Sequence, residues 1–391
     1  MYHRVVALIA CCVASTCIAQ SQPSTQVELV AVGRLSGQAL DLSGLTGTLE
    51  TDTPTNQLGG FSAIEYSGQA NRYIVLSDRG PGDGAASFPC RFHEFELSID
   101  VQNKSIVPQL RKTTLLKSAL GQQLTGSLKA VDSSPNEAES IAFDCEGIRQ
   151  FDSKSFAISD EYGPSVRLFD ASGKQFDHWG LPSAFRLCAN SNEKGAMGTF
   201  PNRGLEGLAR SRDGGQLIAA MQGALVQDGV VEGEKCLGLN TRWLVIDSQN
   251  KRAGRTKQLV YPLTDESTGV SEVLAVDAHR YLVIERDSNA GNDAKFKHIY
   301  LADTQGATDV SSIASLPRTQ LPESVKPISK SLLIDLRDDR FGLGGEATAE
   351  KPEGLCWGPD LPDGRRLLVV CVDNDFEVDR QSEFYAFAIS L

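Results

Sequence analysis

The chain has 391 residues, of which 41% are hydrophobic and 23% are charged. This composition is that of an ordinary globular protein and excludes disordered, collagen-like and coiled-coil chains. The 50 acidic residues outnumber the 38 basic ones and give a formal charge of −12 at pH 7. A protein that grips a phosphate backbone needs a broad basic surface, so nucleic acid is not expected as a partner.

The N-terminus is typical of an export signal. His3 and Arg4 precede the apolar stretch 5–13, and Cys17-Ile18-Ala19 offers a small-x-Ala cleavage site. We expect residues 1–19 to be a signal peptide and residues 20–391 to form one domain that is periplasmic or secreted. A lipoprotein signal ending at Cys11 is the alternative, although its apolar region is very short. No later stretch approaches the ~18 apolar residues of a membrane helix, so no membrane span is expected.

Three of the nine cysteines lie in the predicted signal peptide. The even number that remains predicts disulfides in an exported protein. Their spacing contains no CxxC or CxxH and so argues against a zinc site. The favoured pairs are Cys90 with Cys145, Cys188 with Cys236, and Cys356 with Cys371.

A recurring unit of two strands organises the rest of the chain. Each first strand opens beside glycine or an acid, and each second strand ends in acids. Five copies are present, and a third strand follows in several of them. The strand pairs are 59–64 with 72–80, 146–148 with 155–161, 205–209 with 216–221, 271–276 with 281–287, and 352–355 with 366–373.

Repeats of short antiparallel strands separated by turn residues predict an all-β fold, a β-propeller. The repeat count gives five blades, and six are possible if the long gaps 105–140 and 310–350 hide further strands. The last copy lacks a fourth strand, whereas the N-terminal strand 27–32 has no copy of its own. We expect these two to pair, because that pairing closes the ring and covers an exposed edge.

The repeat places its acids at two points that meet in space. The start of a first strand and the end of the antiparallel second strand lie at the same end of the ring, so the acids should surround one mouth of the central channel. Those at first-strand starts are Glu146, Glu206, Glu272 and Glu353. Those at second-strand ends are Asp78, Asp160, Glu161, Glu285, Asp287, Asp373 and Asp375.

Clustered carboxylates repel one another, and the folded protein must offset that repulsion. They can bind a hard cation such as Ca²⁺, pair with arginine, or stay protonated and act as general acids. Arg79, Arg203 and Arg286 stand beside the acids and suit phosphate recognition. The plainer alternative is that each acid only caps a turn by accepting backbone N–H bonds. The sequence contains no GxSxG, GxGxxG or GxxxxGK[ST] motif, which argues against serine-hydrolase and nucleotide-binding chemistry.

Six short motifs together resemble the phytase-like domain, also described as "esterase-like activity of phytase", of exported bacterial proteins. The likeness spans roughly residues 27–391. The motifs are Ser77-Asp78-Arg79-Gly80-Pro81, Cys145-Glu146-Gly147-Ile148, Ser159-Asp160-Glu161-Tyr162-Gly163-Pro164, Arg203-Gly204-Leu205-Glu206-Gly207-Leu208, Ile284-Glu285-Arg286-Asp287 and Pro352-Glu353-Gly354-Leu355. The resemblance implies a β-propeller with repeated acids and a proposed phosphoester hydrolysis. The fourth copy departs from the pattern, with Glu272-Val273 where Glu-Gly is expected.

These observations favour an exported, Ca²⁺-dependent phosphoester hydrolase that acts on a small molecule. The alternative is a non-catalytic propeller whose acidic mouth binds calcium, a sugar or a protein. Nothing in the sequence indicates the oligomeric state. The candidate catalytic residues are Glu146, Asp160, Glu161, Glu206, Glu285 and Glu353. The candidate metal ligands are Asp78, Asp160, Glu161, Asp287 and Asp373, and the candidate substrate-binding residues are Arg79, Arg203 and Arg286.

Overall fold

The computed structural model describes residues 26–130, 139–152, 154–248 and 256–391. The predicted signal peptide and its three cysteines lie outside the described residues. The described part of the chain contains no α-helix, only strands and short 3₁₀ turns. The 3₁₀ turns are Leu128–Ala130, Ser183–Phe185, Val226–Asp228, Gly291–Asp293, Asp339–Phe341 and Gly345–Ala347.

Twenty-two strands make up the fold. They are β1 (Gln26–Leu35), β2 (Phe61–Tyr66), β3 (Arg72–Ser77), β4 (Arg91–Asp100), β5 (Ser105–Leu115), β6 (Cys145–Asp152), β7 (Ser155–Asp160), β8 (Ser165–Asp170), β9 (Gln175–Trp179), β10 (Leu205–Arg210), β11 (Gln216–Met221), β12 (Val230–Glu232), β13 (Lys235–Leu237), β14 (Asn240–Asp247), β15 (Lys257–Pro262), β16 (Gly269–Ala275), β17 (Arg280–Arg286), β18 (Lys297–Asp303), β19 (Ser329–Asp335), β20 (Lys351–Trp357), β21 (Arg366–Asp373) and β22 (Ser382–Ser390).

The strands form five antiparallel units of four strands each, apart from the small hairpin β12-β13. In order from the innermost strand outward, the units are β2-β3-β4-β5, β6-β7-β8-β9, β10-β11-β14-β15, β16-β17-β18-β19 and β20-β21-β22-β1. The first strand of each unit packs against the first strands of its two neighbours, so β2, β6, β10, β16 and β20 form a closed ring. The prediction of an all-β propeller is confirmed. The long gaps 105–140 and 310–350 of the sequence repeat contain strands β5 and β19. Each of these is the outer strand of one of the five units.

The N-terminal strand closes the ring. It pairs antiparallel with β22 along its whole length, from Gln26 opposite Ser390 to Leu35 opposite Ser382. Val32 of the same strand also forms a parallel bridge with Ser105 of the first unit. The first and last units are therefore joined through β1, as predicted, and the edge of β22 is covered.

The hydrophobic core lies between neighbouring units and holds the first strands at fixed distances around the axis. In one such layer Trp243 stacks on Tyr261, with ring centroids 5.2 Å apart, and meets Tyr281 of the next unit edge-on. All three rings are almost completely buried. Aromatic contacts of this kind fix the position of one unit against the next.

A single arginine side chain closes the central channel. The guanidinium of Arg149, on β6, donates hydrogen bonds to the carbonyl oxygens of Ile64, Ile148, Val273 and Leu355 at 2.6–3.3 Å. These four carbonyls belong to four different first strands. Because one side chain bridges β2, β6, β16 and β20, it ties the ring together from its centre.

The charge of this arginine is balanced by two acids. Nη2 of Arg149 lies 2.8 Å from a carboxylate oxygen of Glu272, and Nη1 lies 3.6 Å from Glu65. Arg149 is 2% exposed and Glu272 is 0% exposed. A buried charge needs a partner of opposite sign, and these two acids supply it at the centre of the ring.

The six described cysteines are free thiols in the structure. Each predicted pair nevertheless shares one hydrophobic cluster, so the two members of a pair lie in the same part of the core. The shared clusters contain Cys90 with Cys145, Cys188 with Cys236, and Cys356 with Cys371. The disulfides stay a prediction.

Replacing the central arginine should destabilise the whole propeller. In Arg149→Met the carboxylate of Glu272 stays buried without its partner, and four carbonyls lose a donor. We expect the free energy of unfolding to fall by about 3–5 kcal/mol, measured by urea denaturation.

The matched control is Arg111→Met, which breaks the exposed ion pair with Glu96 on an outer strand. It should cost no more than about 1 kcal/mol. Equal losses in the two variants would contradict a special role for Arg149.

Candidate functional site

A β-bulge at the start of every first strand selects the side chain that faces the mouth of the channel. The register between first and second strands shifts at this point in all five units. A bulge bends the strand and redirects a side chain. The residues at this position of the repeat are Ser62, Glu146, Glu206, Ser271 and Glu353.

Glycine follows each of the three glutamates because the neighbouring strand approaches closely there. A Cβ on Gly207 would lie 2.7 Å from the backbone nitrogen of Val273, and one on Gly354 would lie 2.7 Å from that of Ile64. Only glycine fits such an approach without displacing backbone. In each Glu-Gly pair the glutamate supplies a carboxylate to the mouth, and the glycine allows the neighbouring first strand to pack closely.

The structure explains why the fourth copy has Glu272-Val273 where the other acidic copies have Glu-Gly. Ser271 occupies the mouth position, and Glu272 occupies the position that is glycine in the other acidic copies. One carboxylate oxygen of Glu272 accepts hydrogen bonds from the backbone N–H groups of Leu208 and Val273, and the other faces Arg149. Glu272 therefore belongs to the channel closure and not to the mouth.

The mouth is a pocket of about 290 Å³. It brings together eight of the predicted site residues, which come from all five units or the loops beside them. These eight are Asp78, Arg79, Glu146, Glu161, Arg203, Glu206, Arg286 and Glu353. Further lining residues are Asp83, Asn202, Gln222, Ser267, Gly269, Ser271, Ser288, Glu350, Lys351 and Asp375.

The first acidic cluster consists of Asp144, Glu146 and Glu161. One carboxylate oxygen of each lies within 4.8 Å of the other two, and all three residues are buried. Arg79 holds this cluster from one side, because its Nη1 lies 2.7 Å from Asp144 and 3.2 Å from Glu161. A single arginine therefore faces three carboxyl groups.

The second acidic cluster consists of Asp78, Asp373 and Asp375, with oxygens again within 4.8 Å of one another. Lys351 lies 2.7 Å from Asp375 and 3.6 Å from Asp373. Burial and the neighbouring charge of Asp373 raise the pKa of Asp78 well above its usual value. This cluster lies beside the first one at the same mouth, since Asp78 precedes Arg79 in the chain.

Glu161 and Glu206 form a carboxyl pair between the clusters. Both residues line the pocket, and Gln222 donates a hydrogen bond to Glu206. Burial and repulsion from Asp144 raise the pKa of Glu161 to about 7. Burial and repulsion from Glu161 raise the pKa of Glu206 well above its usual value. Protonation of these two carboxyls is therefore favoured relative to ordinary exposed carboxyls.

The remaining arginines differ in how far they are engaged. Arg286 donates to Glu353, and its Nε has no hydrogen-bond partner among the described residues. Arg203 donates to the neutral amide of Gln222 at 2.6 Å. Both guanidiniums line the pocket and keep donors available for an anion.

Four of the predicted site residues lie outside the lining of the pocket. Asp373 belongs to the second cluster just behind it, whereas the other three bind protein donors elsewhere. Asp160 accepts from Arg167, Ser165 and two backbone N–H groups. Asp287 pairs with Lys297 and accepts from the backbone of its own loop.

Glu285 is also removed from the mouth. It accepts hydrogen bonds from Tyr261 and Lys330 and two from the 264–268 loop, and it is completely buried. Its carboxylate is therefore fully committed to the contact between the third and fourth units. Catalytic roles for Asp160 and Glu285, and a metal-binding role for Asp287, stay predictions with no support in this geometry.

Sequence reasoning missed several residues of the site. Asp144 precedes the first strand of the second copy by one residue, and Lys351 opens the first strand of the fifth copy. Extending the repeat by two residues on its N-terminal side would have included both. Asn202 and Gln222 carry no charge, and no motif marks them.

The two clusters fit a cation by the chemistry of their donors. Glu161 Oε1 and Asp373 Oδ2 are buried and have no hydrogen-bond partner among the described residues. A buried carboxylate oxygen without a donor is costly, and a hard cation with six to eight oxygen ligands would satisfy it. The acidic mouth has one such oxygen in each cluster.

The fold and the site together define the class of protein: a β-propeller whose mouth is lined by carboxylates and arginines from its repeated units. The family model for the phytase-like family, described as "Esterase-like activity of phytase", matches residues 56–376. The chain belongs to this family, and the resemblance found in the sequence is confirmed.

A relative from Arthroderma benhamiae, named "Uncharacterized secreted protein", is 29% identical over 188 residues. The match covers 40% of this chain and 36% of the relative, so the chain spans little more than a third of that protein.

Solved structures share little sequence with the chain. The β-propeller domain of Cps50 (Swd1) from Myceliophteria thermophila is 11% identical with a TM-score of 0.36, covering 85% of this chain and 98% of that one. The major Malassezia sympodialis allergen Mala s 1 is 10% identical with a TM-score of 0.37, covering 84% and 77%. The fold assignment depends on the strand pairing and not on these similarities.

Across the residues that the structure describes, no helix is long and apolar enough to cross a membrane.

The buried acids predict that stability falls as pH rises in the absence of a cation. Glu161 and Glu272 have folded pKa values of about 7, and Asp160 has one of about 6. Burial is the largest cause in each case. Unfolded carboxyls titrate near 4, so between pH ~5 and ~7 the folded state binds more protons than the unfolded state. The melting temperature in chelator should therefore decrease across this range.

Added Ca²⁺ should weaken this trend, since a cation binds the deprotonated carboxylates of the folded state. The measurement is calorimetric melting at pH 5, 6, 7 and 8, with chelator and with calcium. The variant Glu146→Gln/Glu206→Gln removes two raised carboxyls and should show a flatter profile. A melting temperature that rises from pH 5 to 7 in chelator would show that the acids are not protonated in the folded state.

Proposed function

We propose that the chain is an exported, Ca²⁺-dependent hydrolase of small phosphoesters that acts at the acidic mouth of the propeller. The observation that carries this proposal is one pocket in which two clusters of buried carboxylates face arginines with free donors. The family description, esterase-like activity of phytase, agrees with this chemistry. The name of the secreted relative supports export.

The carboxylates of the two clusters would hold the cation. In each cluster, one oxygen from each of three carboxylates lies within 4.8 Å of the other two: Asp144, Glu146 and Glu161 in the first, and Asp78, Asp373 and Asp375 in the second. Bound Ca²⁺ would neutralise phosphate oxygens and lower the pKa of a bound water. The residues of the chain then have to supply phosphate recognition and proton transfer.

Arg203 and Arg286 are the donors that can recognise phosphate. Arg79 is already engaged with Asp144, Glu161 and Asp83, so its task is to hold the first cluster in place. The other two also line the pocket, and Arg286 Nε has no hydrogen-bond partner among the described residues. Guanidinium groups bind phosphate oxygens in a bidentate manner and offset the charge that develops during displacement.

The pair of Glu161 and Glu206 can donate a proton to the leaving oxygen. A general acid works best when its pKa lies near the working pH, and burial together with repulsion from Asp144 raises the pKa of Glu161 to about 7. The lining residues of the pocket include no histidine or cysteine. The lining amine, Lys351, is paired with Asp373 and Asp375, so the carboxyl groups are the acids and bases of this proposal.

Hydrolysis should depend on calcium and on the mouth acids. We expect the purified chain to hydrolyse bis-p-nitrophenyl phosphate, p-nitrophenyl phosphate or phytate with Ca²⁺, and to lose this activity in chelator. Glu161→Gln should lower kcat at least about 100-fold, because it removes a cation ligand and one of the two carboxyls that can donate the proton. The substrate that is turned over identifies a monoester or diester preference.

Two variants control this experiment. Glu28→Gln removes an exposed acid on β1 and should keep full activity. Asp160→Asn disturbs a buried structural network beside Glu161 and should lower the melting temperature with a smaller effect on kcat. Absence of turnover, together with a melting temperature that Ca²⁺ raises, would instead indicate a cation-binding propeller without catalysis.

Export carries a consequence for the cysteines. Cys90 and Cys145 lie in the same buried hydrophobic cluster. We propose that they oxidise in the compartment to which the protein is delivered. A non-reducing peptide map should show the linked pair in protein exported by a bacterial host and free thiols in protein made in the cytoplasm. Free thiols in both samples would contradict the disulfide prediction.

A further inference from the structure

The opposite mouth of the channel has a different chemistry from the acidic one. The first strands end there, and their last residues line a cavity of about 400 Å³. Where the acidic mouth carries glutamates, this cavity is lined by four arginines: Arg149, Arg210, Arg212 and Arg366. This cavity shares no lining residue with the acidic mouth, so the two are distinct sites.

Three of these arginines have no carboxylate partner. Arg210, Arg212 and Arg366 form no ion pair with any described residue. Arg366 lies flat on Trp357, with its guanidinium carbon 3.5 Å from the ring centroid, and makes one long hydrogen bond to a carbonyl. This stacking fixes the plane of the guanidinium while leaving most of its N–H groups free.

Unsatisfied donors lie at the base of the same cavity. Nε of Arg149 and Nε of Arg210 are both buried and have no hydrogen-bond partner among the described residues. Arg149 is almost fully buried. Buried N–H groups without acceptors are costly, and these two belong to side chains that line the cavity.

The acids near this cavity do not cancel its charge. Glu65 and Asp360 line it: Glu65 is engaged with Arg149 and with a backbone N–H, and Asp360 attracts Arg366 without forming an ion pair among the described residues. Asp213 also lies near Arg210 but accepts hydrogen bonds from its own turn. Asp277 acts on Arg366 but is paired with Arg280.

We propose that this arginine mouth binds a small multivalent oxyanion, a phosphate or a polycarboxylate. Guanidinium groups recognise both through paired N–H···O hydrogen bonds, and a cavity of this size holds a compact ligand with two or more charges. The site does not depend on the proposed hydrolase activity, because it uses none of the residues of the acidic mouth.

The test is calorimetric titration of residues 20–391 with inorganic phosphate and with citrate, at low salt and in the presence of a calcium chelator. The chelator prevents phosphate from binding through a cation at the acidic mouth. We expect one site per chain for at least one of the two anions, and the anion that binds defines the class. The variant Arg212→Gln/Arg366→Gln should lose at least about tenfold in affinity.

Two variants serve as matched controls. Arg111→Gln removes an exposed arginine on the outer strand β5 that does not line the cavity. Glu161→Gln changes a carboxyl group of the acidic mouth. Both should bind the anion as tightly as the unmodified chain. Failure of both anions to bind, or equal affinity in Arg212→Gln/Arg366→Gln, would overturn the proposal. So would an equal loss in Arg111→Gln, which would show that only the net charge matters.

Discussion

The ion pair of Arg149 and Glu272 at the centre of the ring is the interaction on which the other features depend. A propeller of five units leaves a narrow channel in which backbone carbonyls of neighbouring first strands face each other without donors. Arg149 supplies those donors to four strands at once, and Glu272 balances its charge. Since both charges are buried, neither can be lost alone without a large cost.

Electrostatic repulsion at the acidic mouth is the second constraint. Glu146, Glu161 and Glu206 lie within interaction distance, and the pKa of each is raised, first by burial and then by its neighbours. Such an arrangement is worse for folding than neutral side chains of the same shape. Cation binding or proton sharing would offset part of that cost, and both lead to chemistry at the mouth. Arg79 alone cannot neutralise the first cluster.

The period of the repeat was enough to predict the propeller, the closure by the N-terminal strand and the end of the ring at which the acids gather. It could not predict which acids face the channel. Asp160 and Glu285 end second strands, as Asp78 follows one, yet their side chains point into contacts between strands or units. That choice depends on side-chain alternation and on local turn geometry beyond the strand. Glu272 stands one residue after the bulge position that faces the mouth in the other copies, so its side chain lies in the channel instead.

The five equivalent bulge positions suggest how such a site can vary while the fold stays the same. Ser62 and Ser271 occupy the positions at which Glu146, Glu206 and Glu353 stand in the other copies. Ser62 donates to the carbonyl of Cys145 in the next unit and so serves the ring, whereas Ser271 lines the pocket. The three glutamates are therefore not required by the architecture, because serine is accommodated at the same bulge. Their presence is best explained by what the mouth binds.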